Sequence, residues 1–143
     1  MTAIITTVDE SENLTVIGET LRPLLTTEMG SSVEVYDTAG DEGMGPPPHF
    51  HAWSETYVMI DGELDLVIGD GEPTRLRAGM VAHAPGGTTH AYTITANGTR
   101  FLTILGEGNG HAFYRQMDDE VSFPPNIEDV VRVATTHGIG FPG

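Results

Sequence analysis

The chain contains no cysteine, so neither a disulfide frame nor a thiolate metal site can form. It also contains no lysine: its six basic residues are all arginine, against 21 acidic ones, for a formal net charge of −15. A surface so acidic repels phosphate backbones and anionic lipid, which argues against nucleic acid or a membrane as partner. No apolar run reaches the 18 or so residues a spanning helix needs. The start, Met1-Thr2-Ala3-Ile4-Ile5, lacks the basic region of a signal peptide, so a cytoplasmic location is expected. At 143 residues the chain has room for one domain and none for an appended DNA-binding unit.

What is abundant is glycine, 18 residues, and proline, nine, within a 38% hydrophobic chain. That mixture predicts many short strands joined by turns. Residues 1–12 are polar and acidic and are expected to form a flexible arm, with a single domain over 13–143. Short strands are expected at Leu14–Ile17, at Leu21–Thr26 (an edge, because of Pro23) and at Val33–Tyr36. Further strands flank Asp61-Gly62, Asp70-Gly71, Pro85-Gly86-Gly87 and Asn97-Gly98, of which the Asp-Gly and Asn-Gly pairs read as hairpin turns. His111–Met117 is expected as a last strand. Ile127, Val130, Val131 and Ala134 fall at i, i+3, i+4 and i+7, which predicts a C-terminal helix over about 126–137. Asn126 would cap it and Gly138 would stop it. The expected fold is an all-β antiparallel sandwich or barrel with one short C-terminal helix. Sandwich edges and an amphipathic helix need cover, so a homodimer is expected.

The chemistry concentrates at His49-Phe50-His51-Ala52-Trp53-Ser54-Glu55 and at His90. His49 and His51 are two residues apart, so on an extended segment both side chains share a face. Three imidazoles and one carboxylate form a set suited to one divalent transition metal ion per chain: iron, manganese, nickel, cobalt or zinc. Pro46-Pro47-Pro48 stiffens the approach to His49 by fixing φ. Tyr57 and Met59 share the parity of Glu55, and Tyr92 and Ile94 that of His90. With Met80 and Phe101 they are expected to wall a cavity beside the ion, or to be plain core. His83 reads as a strand histidine bonded to a neighbour, His111 and His137 as surface or packing residues, and Trp53 as a lid or a dimer contact. Arg75, Arg77 and Arg100 form no obvious carboxylate clamp.

These residues resemble the cupin superfamily. Its first motif, G-x5-H-x-H-x3-E-x6-G, is met by Gly43, His49, His51, Glu55 and Gly62. Its second, G-x5-P-x-G-x2-H-x3-N, is met by Gly79, Pro85, Gly87 and His90, with Ile94 in place of the asparagine. The flanks are similar to small single-domain members of the quercetin-dioxygenase-like subgroup. The resemblance implies a double-stranded β-helix or jelly-roll fold, metal ligation by His49, His51, Glu55 and His90, and open positions on the ion. It implies a dioxygenase-like oxidoreductase acting on a small, largely apolar or aromatic oxygenated substrate. A redox-neutral metal enzyme (isomerase, lyase or polyketide-type cyclase) and a non-catalytic module binding metal and small ligand remain open. Glu55 is the candidate catalytic residue, either as ligand only or also as a base.

Overall fold

The computed structural model describes residues 2–143. Nine strands form two antiparallel sheets. In chain order they are β1 (Leu14–Val16), β2 (Glu19–Leu25), β3 (Val33–Gly40), β4 (Glu55–Asp61), β5 (Glu63–Ile68), β6 (Thr74–Arg77), β7 (Val81–Ala84), β8 (His90–Ile94) and β9 (Thr99–Gly106). One sheet has the order β1-β2-β3-β9-β4-β7 and the other β6-β5-β8. Two helices follow, α1 (Gly110–Glu120) and α2 (Ile127–Thr136). The sandwich and the C-terminal helix are as expected from the alternating strand pattern and the 3.6-residue period.

The turns behave differently. Of the Asp-Gly and Asn-Gly segments, only Asp70-Gly71 joins paired strands, β5 and β6. β4 pairs with β7 and β9, whereas β5 pairs with β6 and β8, so Asp61-Gly62 carries the chain from one sheet to the other. Asn97-Gly98 does the same between β8 and β9. Gly62 has φ 77°, and a Cβ there would lie 2.2 Å from the Thr99 hydroxyl. The two crossovers touch at this point, and Thr99 Oγ1 accepts from Glu63 N. Glycine is therefore needed both for backbone conformation and for close approach.

Pro23 lies in an interior strand rather than at an edge. β1 is so short that it pairs only with Glu19–Leu21, and the β2–β3 register shifts between Pro23 and Leu25. The missing N–H therefore falls beside a bulge and beyond the end of β1.

The expected strand at His111–Met117 is instead part of α1. Its aromatic residues favour strands, but the buried positions His111, Met117 and Val121, with Tyr114 half-buried between them, follow a helical period. Asn109 caps the first turn through Ala112 N. Glu34, fully buried on β3, accepts from His111 N, Thr27 N and the Tyr36 hydroxyl, and so pins the start of α1 to the sheet.

The helix α2 starts at its Asn126 cap as expected, but its buried face is rotated. Val130, Val133 and Ala134 are buried, while Ile127 and Val131 stand exposed. One core cluster joins β1, β2, β3 and β9 to both helices and includes Leu14, Leu21, Tyr36, Leu105, Met117 and Val133. The other fills the space between the sheets, with Tyr57, Met59, Leu64, Ile94 and Phe101.

Candidate metal centre

The segment carrying His49 and His51 runs alongside β8. His49 N donates to His90 O at 3.1 Å and His90 N to His49 O at 2.9 Å, so the two histidines are direct cross-strand partners. Glu55 opens β4 on the other sheet, opposite Ala84 and Leu105. Two strand ends and the short loop between His51 and Glu55 thus deliver four donors to one place. One ligand atom from each of His49, His51, Glu55 and His90 lies within 4.8 Å of the others. Metal–ligand bonds of about 2.0–2.2 Å place neighbouring donors about 3 Å apart and opposed ones about 4 Å apart, so these atoms are already gathered on the scale of a single ion.

The imidazoles are oriented for that task. Each Nδ1 lies 2.8 Å from a backbone carbonyl: Pro47 for His49, Trp53 for His51 and Thr88 for His90. A carbonyl only accepts, so each Nδ1 carries a proton, which leaves Nε2 as the nitrogen each ring can offer a metal. Trp53 stacks on His51 at 4.3 Å between ring centroids and 10° between planes, fixing that ring from the side.

Glu55 is buried and accepts at Oε2 from Tyr57 Oη at 2.8 Å, with His90 Nε2 at 2.7 Å and His51 Nε2 at 3.6 Å. Burial would raise the carboxyl, but the bonds to His51 and His90 outweigh it and hold Glu55 well below the usual carboxylate range. His90 shifts upward, because its bond to Glu55 outweighs the downward effect of burial. His49 is pushed down to about 4 by burial, with the neighbouring His90 adding to the effect. An ionised carboxylate facing imidazole Nε2 atoms, which give up any proton when an ion binds, is the donor chemistry of a divalent transition metal.

A cavity of about 80 Å3 borders the cluster, lined by His49, His51 and Glu55. Its wall is mainly apolar and includes Pro46, Trp53, Phe113, Tyr114 and Phe141. Among the expected wall residues only Tyr92 borders it. Tyr57, Met59, Ile94 and Phe101 are closed into the core between the sheets, and Met80 is 40% exposed on a surface turn. Most of the wall was missed because it comes from β1, β2, both helices and the C-terminal segment, none of which carries the motif.

Glu19 is the polar member missed on β2. Its signal lay in the strand parity: Glu19 shares the buried face with Leu21. His83 bonds Thr56 Oγ1 as expected of a strand histidine, and it stands outside the cluster. His111 packs under Glu12 and Arg115, and His137 bonds Gln116. Arg75 and Arg100 pair with Asp65 and Asp37 and do not approach the cavity.

Gly45 in the proline-rich loop has φ 141°, and a Cβ there would lie 2.1 Å from the Tyr92 carbonyl oxygen. Gly45→Ala is therefore expected to destabilise the fold by about 2 kcal/mol or more, read as a lower urea midpoint with an unchanged slope. An unchanged midpoint would show that the loop can retreat from β8 freely.

Residues 39–105 match the cupin domain family. Over 86 residues the chain is 27% identical to quercetin 2,3-dioxygenase of Bacillus subtilis (strain 168). That match takes in 59% of this chain but only 25% of the relative, so the chain spans about a quarter of that protein. The structure of ectoine synthase from P. lautus superposes with a TM-score of 0.68 at 19% identity, over 81% of this chain and 87% of that one. The polyketide cyclase RemF from Streptomyces resistomycificus does so with a TM-score of 0.62 at 22% identity, over 73% and 79%. At such identities the two structures speak for the fold alone. With both glycine-punctuated motifs folded onto one sandwich end and the family match covering them, residues 39–105 are identified as a cupin domain.

Proposed function

We propose that this chain is a metal-dependent enzyme in which His49, His51, Glu55 and His90 hold one divalent transition metal ion. The adjoining cavity would take a small, largely apolar or aromatic oxygenated substrate, and the reaction would be a dioxygenase-like oxidation. The observation that carries this is the convergence of four donor atoms within 4.8 Å, with every imidazole Nδ1 already committed to a carbonyl. The partial likeness to quercetin 2,3-dioxygenase supports the oxidative version.

The bound ion would supply Lewis acidity and, if redox-active, one-electron chemistry. The chain's own residues supply orientation and exclusion. The carbonyl-tethered histidines fix the donor directions. Tyr57 holds Glu55 Oε2, and Trp53 covers His51. Glu55 serves as ligand, because a carboxylate held ionised by its neighbours is a weak base. The cavity is smaller than the ~150 Å3 that accommodates benzene, so a single ring enters only where the wall yields.

Elemental analysis of protein purified without a histidine tag, followed by assays of single-ring phenols and 1,3-dicarbonyls with and without oxygen, tests the reading. About one equivalent of a redox metal and turnover that stops without oxygen is the expected result. Turnover indifferent to oxygen would move the function to the redox-neutral isomerase, lyase or cyclase. Full metal occupancy with ligand binding but no turnover would leave a binding module.

The homodimer belongs to the same proposal. Phe123, Ile127 and Val131 are exposed, the last two on the helix α2, which is apolar surface that a second copy would cover. Light scattering is expected to give twice the chain mass, and a monomer at high concentration would remove the claim.

A further inference from the structure

Glu19 lines the same cavity as the cluster, yet it has no place among the four donors. It is 3% exposed, and no arginine borders the cavity to balance a charge on it. Its hydrogen-bond partner is the Tyr92 hydroxyl, 2.8 Å from Oε1 and 2.7 Å from Oε2. A phenol has one hydrogen and cannot satisfy two carboxylate oxygens. An anion so placed is costly, so the neutral acid is the favoured form: burial pushes Glu19 up to about 8 against the lowering effect of Tyr92, and the Glu55 charge adds to the rise. A neutral carboxyl has one donor and one acceptor side. Tyr92 fixes its rotation, and its unused capacity borders the cavity.

Resting on the metal-enzyme reading above, we propose that Glu19, oriented by Tyr92, is the specificity-determining residue of the cavity and hydrogen-bonds a second, uncharged oxygen of a substrate whose first oxygen lies at the His49, His51, Glu55 and His90 cluster. The substrate class is then a small molecule of at most one ring with two separated neutral oxygens, a diol or a hydroxy-ketone, and a ring requires the apolar wall to yield. A plain hydrocarbon ring or a dicarboxylate would not fit.

Trp53, the chain's one tryptophan, lines the cavity, so its fluorescence reports ligand entry. Cobalt(II)-loaded protein is titrated with phenol, resorcinol and hydroquinone, whose separated oxygens cannot chelate one ion. At least one diol is expected to bind about tenfold more tightly than phenol. Glu19→Leu is expected to abolish that advantage while phenol affinity stays within about twofold. Glu19→Gln, which can still donate and accept, keeps part of it. Circular dichroism and cobalt stoichiometry check each variant's fold; if Glu19→Leu does not fold, Tyr92→Phe replaces it and is expected to reduce the diol advantage. A diol advantage that survives these variants, or no advantage in the parent protein, overturns the proposal. The metal reading fails separately: cobalt would not be taken up, whatever the probes show.

Discussion

His51→Ala is expected to cut metal binding from about one equivalent to background, with affinity down by more than about 100-fold. The size of the effect follows from how His51 is held. Its Nδ1 donates to the Trp53 carbonyl, Trp53 stacks on its ring, and its Nε2 stands 3.6 Å from Glu55 Oε2. No other histidine can replace it, because His83 bonds Thr56 outside the cluster. The same substitution should remove the stabilisation that metal provides. An ion at 100 times its dissociation constant adds about 2.7 kcal/mol, or roughly 9 °C in melting temperature for a chain of this length. Metal titration followed by calorimetry reads both effects. His83→Ala is the control and should bind like the parent. Retention of full occupancy in His51→Ala would refute the ligand set and leave the clustered imidazoles as a structural feature.

The donors were legible because they are local. His49, His51 and Glu55 lie within seven residues, and glycines mark the turns around them. His90 needed only the second motif. The two sheets were legible from alternation, but their wiring was not. Asp61-Gly62 and Asn97-Gly98 have the residues of tight hairpins, and nothing local distinguishes a turn within one sheet from a crossing between two. The choice is made by the contact between Gly62 and Thr99, which lie far apart in the chain.

Long-range contacts also decided the phase of α2 and the state of α1. Ile127 and Val131 fit a helical stripe as well as Val133 does, and only packing against the sheet selects Val130, Val133 and Ala134. Buried acids were harder still. On β3 the buried parity is that of Glu34, Tyr36 and Thr38, whereas Val33 is exposed. A carboxylate on the inner face looks like a phase error until its partners, here His111 N and Thr27 N, come into view from other elements. The cavity wall shares this difficulty, since most of it comes from segments outside the motifs.

Replacing Glu19 by glutamine should make the fold less sensitive to alkali. In the folded protein burial pushes the Glu19 carboxyl up to about 8, against an ordinary value of 4.5, with Tyr92 opposing the rise and Glu55 adding to it. Between those two values the folded chain keeps a proton that the unfolded chain releases. The unfolded state then binds fewer protons, so stability falls as pH rises. The contribution is fully present below pH 4.5, declines through the window and is gone above about pH 8. The amount is of order a few kcal/mol, because each tenfold gain in proton affinity on folding corresponds to about 1.4 kcal/mol and Glu19 is almost wholly buried. Glutamine has nearly the same shape and does not titrate. Urea midpoints of the metal-free parent and Glu19→Gln, measured at pH 5, 7 and 8.5, should start close together and separate with rising pH, the variant becoming the more stable. Taking the difference cancels the shared groups that do not interact with Glu19, and Glu55, which does, is held well below the usual carboxylate range and stays ionised across these pH values. Parallel curves would mean that Glu19 is ionised in the fold throughout this range. The neutral carboxyl facing the cavity, and the substrate contact built on it, would then lose their basis.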